Sequence, residues 1–101
     1  MNESGAAAAG APIVRRATIV NKLGLHARAA AKFVKLAERF DAQIAVAHKD
    51  MNVSGRSIMG LMMLAAAEGC EIEIRADGPE ATAASDALLG LIAAGFDEED
   101  D

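Results

Sequence analysis

The chain has 101 residues, enough for one domain; it is 52% hydrophobic but only 3% aromatic, so its core must be built from Ala, Val, Ile, Leu, Met and three Phe. The formal net charge of −5 is an end effect: residues 97–101, "DEEDD", carry −5 by themselves, and between 12 and 96 ten Lys/Arg stand against nine Asp/Glu. That balance, without Trp or Tyr to stack on bases, excludes a nucleic-acid-binding charge excess, and no apolar run nears the roughly 20 residues of a membrane span.

Residues 1–11 are rich in Gly, Ala and Ser and read as a flexible extension. They lack the basic start and Leu-rich stretch of a secretory signal, so a cytoplasmic location without membrane insertion is expected. The folded domain is expected over 12–96, with 97–101 as a solvated acidic tail.

"IVRRATIV" (13–20) is β-branched and reads as a strand, followed by the loop "NKLGL" (21–25). Over 27–39 two stripes share a helical period: Ala30, Phe33, Ala37 and Phe40 are apolar, and Arg28, Lys32, Lys35 and Arg39 are basic. "QIAVAHK" (43–49) and "MNVS" (51–54) read as strands joined by a tight Lys49-Asp50 turn, which makes them antiparallel. Ser57 suits the N-cap of a short helix, "IMGLMML" (58–64), weakened at Gly60. "EIEIRAD" (71–77) alternates cleanly as a strand. Pro79 is expected at the first position of a last helix, which runs to Ala94 and stops at Gly95. The order βαββαβα gives an α+β fold: an open-faced β-sandwich, with a four-stranded antiparallel sheet carrying three helices on one face.

A helix starting at Ala27 makes His26 its N-cap. Its first N–H groups have no intrahelical partners and the helix dipole is positive there, so an oxyanion held near the ring meets unpaired donors. Arg28, in the first turn, can add charge-assisted bonds. A neutral imidazole also offers one nucleophilic nitrogen near neutral pH. Position alone leaves open that His26 is a polar cap with no chemistry. His48 lies in a strand with no acidic or metal-ligand partner at a recognisable spacing and reads as structural. Cys70, the lone cysteine, excludes an internal disulfide, and Glu68, Glu71 and Glu73 disfavour its thiolate, so it too reads as structural.

Three stretches taken together, "NKLGLHARAAAKF", "SGRSIMGLMMLAA" and "EIEIRADGPE", resemble the HPr family of phosphocarriers of the phosphoenolpyruvate-dependent phosphotransferase system, over residues 13 to about 94. The resemblance implies that His26 is the phosphoryl-accepting nucleophile, through Nδ1, that Arg28 stabilises the phosphate, and that Ser57 is a regulatory phosphorylation site. It implies a phosphoryl relay component rather than an enzyme. The implied partners are enzyme I upstream, an EIIA-type acceptor downstream and HPr kinase/phosphorylase at the serine. No cofactor and no metal are implied. The family's LHARPA has Ala29 in place of its proline here; "AAGFDEED" looks like the nitrogen-type branch, NPr, whereas "GRSIMGLMML" looks like the HPr branch that keeps the regulatory serine.

Met59, Met62 and Met63 cannot all be buried alongside Ile58 and Leu61 on one short helix. Adaptable Met side chains with a basic rim suit a transient interface, for which Lys32, Lys35, Ile58, Met59 and Met62 are the candidate partner-binding residues. Two readings therefore stand beside a plain structural α/β domain. One is a phosphocarrier. The other is a regulatory binding module whose phosphorylation state selects target proteins, nitrogen- or stringent-response regulators among them. A monomer is expected, since no long apolar face is left over.

Overall fold

A computed structural model of the chain describes residues 11–98. Residues 1–10 of the expected extension and 99–101 of the expected acidic tail lie outside the described residues. The elements are β1 (Ile13–Thr18), α1 (Ala27–Ala37), β2 (Gln43–His48), β3 (Met51–Ser54), α2 (Ile58–Met63), β4 (Glu71–Asp77) and α3 (Ala81–Ala93), then a 3-10 turn, Gly95–Asp97. The strands form one sheet in the order β1-β4-β2-β3, with every neighbouring pair antiparallel.

Strand alternation separates the two faces of the sheet. Ile44 and Val46 of β2 and Ile72, Ile74 and Ala76 of β4 are buried beneath the helices. Arg16, Arg75 and Glu71 alternate with them on the open face and are exposed. On edge strand β1, Arg15 faces inward in register with Ile74, and its guanidinium meets Asp86 of α3 at 2.9 Å. The helices complete the core with Ala29, Ala30, Phe33, Val34 and Ala37 from α1, Leu61 from α2, and Ala81, Ala84, Leu88 and Ile92 from α3. In a core with so few aromatics, alanines let the helices approach the sheet closely while Phe33 and Phe96 fill the larger spaces.

Some boundaries shift. α1 ends at Ala37 rather than at residue 39. β1 ends at Thr18 rather than at residue 20, although Ile19 stays tied to the β4 end through Ile19 N–H donating to the Cys70 carbonyl at 2.8 Å. Pro79 lies in the turn before α3, not at its first helical position. The turn closes there by Ala81 N–H donating to Gly78 O at 3.1 Å, and the helix begins only when Ala84 N–H reaches Glu80 O at 2.8 Å.

Candidate functional site

His26 is the N-cap of α1, with extended backbone angles (φ −75°, ψ 178°), and its carbonyl accepts from Ala30 N–H at 2.8 Å. Its amide donates to Gly24 O at 2.9 Å, and the neighbouring Leu25 amide donates to Ala66 O at 3.0 Å, which ties the loop to the segment following α2. The His26 side chain makes no capping bond, so the first-turn amides of α1 are not used up by the ring. Arg28 is exposed in that turn and has no hydrogen-bond or ion-pair partner among the described residues. Ala29, where the resembled motif has proline, is fully buried, so this departure sits on the core side of the first turn.

The ring is instead engaged from the far end of the chain. After α3 the backbone passes through three consecutive left-handed residues, Gly95, Phe96 and Asp97, with φ of 65°, 58° and 58°. For Phe96 and Asp97 that conformation costs roughly 1–2 kcal/mol each. Complete burial of the Phe96 ring offsets it. Lys32 Nζ adds a bond to Phe96 O at 2.6 Å. The turn delivers Glu98, whose Oε2 meets His26 Nε2 and whose Oε1 accepts from Asn21 Nδ2 at 3.1 Å. Asn21 Nδ2 also donates to Gly24 O at 2.9 Å, which fixes the amide's orientation, because a flipped amide would set oxygen against oxygen twice. Its Oδ1 is left buried without a partner among the described residues.

Partial burial is the largest single influence on the Glu98 carboxyl and opposes its ionisation. The hydrogen bonds from His26 and Asn21, with the charges of His26 and Lys32, together outweigh it and hold the pKa below its ordinary value. Glu98 therefore faces the ring as a carboxylate at neutral pH.

The other candidate residues sit on α1 and on or beside α2. Lys32 is half-buried and committed to Phe96, whereas Lys35 and Arg39 are exposed. Ser57 caps α2, its Oγ accepting from Gly60 N–H at 2.9 Å. Ile58, Met59, Met62 and Met63 are 41%, 69%, 40% and 60% exposed, so α2 presents an apolar surface and buries only Leu61. His48 Nδ1 lies 3.2 Å from the Glu71 carbonyl, a backbone contact in keeping with its structural reading. Cys70 is a half-buried free thiol. A cleft lined by Asp41, Gln43, Ser54, Arg56 and Asp77 takes in none of the candidate residues. Among the described residues no group of His, Cys, Asp and Glu could hold a metal, and no helix is long and apolar enough to cross a membrane.

Sequence reasoning did not identify Asn21 or Glu98 as part of the site. The boundary drawn after Phe96 from charge falls inside the 3-10 turn, and Glu98 belongs to the site rather than to a solvated tail.

Known proteins are similar to this chain in sequence and in fold. The family described as "PTS HPr component phosphorylation site" matches residues 13–94. The phosphocarrier protein HPr of Cupriavidus necator is 50% identical over 84 residues, 83% of this chain and 94% of that protein. The phosphocarrier protein NPr of Shewanella violacea is 46% identical over 84 residues, 83% and 92% of the two chains. The crystal structure of HPr-C-His from Thermoanaerobacter tengcongensis superposes with a TM-score of 0.82 at 40% identity, covering 86% of this chain and 98% of that one. With this sequence similarity over most of its length, and the same α+β architecture, the chain belongs to the HPr family of phosphocarriers of the phosphotransferase system, relay components rather than enzymes.

Proposed function

We propose that His26 accepts a phosphoryl group from phospho-enzyme I and passes it to an EIIA-type protein. The observation that carries this reading is the use of His26 as an N-cap through its backbone alone. The ring makes no capping bond and its Nδ1 is left for chemistry, while the first-turn amides of α1 and the exposed Arg28 guanidinium remain for the phosphoryl oxygens. A carrier needs modest stabilisation of this kind, because a phosphoryl group held too tightly would not be passed on. The exposed Ile58, Met59 and Met62 of α2, rimmed by Lys35, form the surface on which the donor and acceptor dock in turn. Ser57, phosphorylated by an HPr kinase/phosphorylase, adds about two negative charges at the edge of that surface and weakens docking.

Incubation with enzyme I, Mg²⁺ and phosphoenolpyruvate should give an acid-labile, base-stable phosphoryl group that is lost in His26→Ala. Equal labelling of the wild type and His26→Ala would sink the reading. A nitrogen-type role is compatible with the same chemistry, since an HPr relative at 50% identity and an NPr relative at 46% both match the chain. Faster labelling by a nitrogen-type enzyme I than by a sugar-type one would assign the chain to that branch.

A further inference from the structure

We propose that Glu98 is a positioning residue that holds His26 as the Nε2–H tautomer, presents Nδ1 to the incoming phosphorus, and stays paired with the ring after transfer. This rests on the phosphocarrier reading of His26 and adds a group to the same site. A carboxylate can only accept, so the nitrogen facing Glu98 Oε2 is the one that carries the proton. The lone pair is then on Nδ1, and the choice between the two nitrogens is made before any partner arrives.

Three anchors hold the carboxylate in place. Asn21 Nδ2 takes its other oxygen at 3.1 Å, Lys32 Nζ grips the Phe96 carbonyl at 2.6 Å, and the buried Phe96 ring fixes the turn. The sparsely populated backbone at Phe96 and Asp97 is consistent with a segment shaped for this contact, since a free chain end has no need of it.

The contact also bears on the transfer step. The Nδ1 lone pair forms the N–P bond as the donor's bond to phosphorus breaks, and the donor keeps that electron pair. No proton leaves the ring. Nε2 keeps its hydrogen, the imidazole becomes cationic, and the positive charge lies against the Glu98 carboxylate. On onward transfer the N–P electron pair returns to Nδ1 and the ring is neutral again.

The full-length protein and its Glu98→Gln and Glu98→Ala variants separate these roles. Nitrogen-15 NMR of the His26 ring, at a pH where it is neutral, reports the tautomer. The ratio of Nε2–H to Nδ1–H should fall by about tenfold in Glu98→Ala and by less than about threefold in Glu98→Gln, whose amide oxygen still accepts. Phosphorylation by phospho-enzyme I should slow about tenfold in Glu98→Ala, and Glu98→Gln should fall between it and the wild type because it lacks only the charge. An unchanged tautomer ratio in Glu98→Ala overturns the proposal. Faster phosphorylation of that variant also overturns it, and would make Glu98 a cover over the ring. If the wild type takes up no phosphoryl group, the reading of His26 fails, while the tautomer ratio still decides what Glu98 does.

Discussion

Gly24 and Ala66 are in backbone contact: a Cβ on Gly24 would come within 2.4 Å of the Ala66 carbonyl oxygen, and Gly24 itself holds φ at +66°. The same carbonyl accepts from the Leu25 amide at 3.0 Å, and Gly24 O accepts from the His26 amide at 2.9 Å. The glycine of "LGLHAR" therefore seats the His26 loop on the segment following α2, and it links the two motifs mechanically.

Gly24→Ala should lower stability by about 3 kcal/mol, the sum of left-handed strain and overpacking against backbone that cannot rotate away. Because the loop must lift, His26 should move as well, and phosphorylation should fall even at temperatures where the variant remains folded. Urea unfolding and labelling by enzyme I check the two parts separately. Normal labelling in a destabilised variant would show that the seat serves folding alone.

Ser57 makes two separable contributions. Its Oγ accepts from Gly60 N–H at 2.9 Å, and a Cβ on Gly60 would sit 3.0 Å from that oxygen, so the residue that weakens the helix also leaves room for the cap. Ser57→Ala should cost about 1 kcal/mol, or about 4–8 °C in Tm, with labelling of His26 intact. Ser57→Asp keeps a capping oxygen and should hold stability, yet slow labelling through its charge beside the docking surface. Calorimetry and enzyme I kinetics on both variants test this. Equal kinetics for the two would remove the regulatory role.

The regular elements were legible because their periods are local. The alternation of "EIEIRAD" marks β4 over 71–77 and matches the burial of Ile72, Ile74 and Ala76. The apolar stripe of α1 places Ala30, Phe33 and Ala37 in the core as read. The His26 cap and the Ser57 cap could be read for the same reason: each is set by the residues beside it. Glu98 escaped because its partner is 72 positions away and because five successive acidic residues read as solvated charge. Gly95 is a local helix-stop signal, but nothing local announces that Phe96 and Asp97 continue in left-handed geometry. That geometry exists only because the core accepts the Phe96 ring. Lys32 shows the same limit: its place in the basic stripe is local, but its partner, Phe96 O, lies 64 positions away.

Ala65 offers a stabilising change. It follows the α2 cap residue Leu64 with φ +54°, its amide donating to Met62 O at 3.1 Å, a place where helices commonly carry glycine. Ala65→Gly relieves roughly 1–2 kcal/mol of left-handed strain and gives back part of it as unfolded-state entropy. A net gain of about 0.5–1 kcal/mol in urea unfolding is expected, with labelling of His26 unchanged. A loss of stability would mean that the alanine methyl is worth more in this exposed turn than its strain.

The Glu98 carboxylate also makes the C-terminal turn sensitive to acid. Its pKa in the folded protein is held below the ordinary 4.5, by its bonds to His26 and Asn21 and the charges of His26 and Lys32, against the opposing effect of burial. A carboxyl with a depressed folded-state pKa binds its proton more readily when unfolded, so its contribution to stability is complete above the unfolded value and is lost as pH falls through the folded one. Comparison with Glu98→Gln isolates this contribution, since every other carboxyl cancels in the difference. The stability difference between wild type and Glu98→Gln should shift in favour of the variant as pH falls through and below the ordinary carboxyl value. In the same window the resonances of His26, Asn21 and Phe96 should change before those of β4, because protonation frees the turn while the sheet is still paired. Stability curves that run parallel through this range would show that the carboxylate gains nothing from its partners.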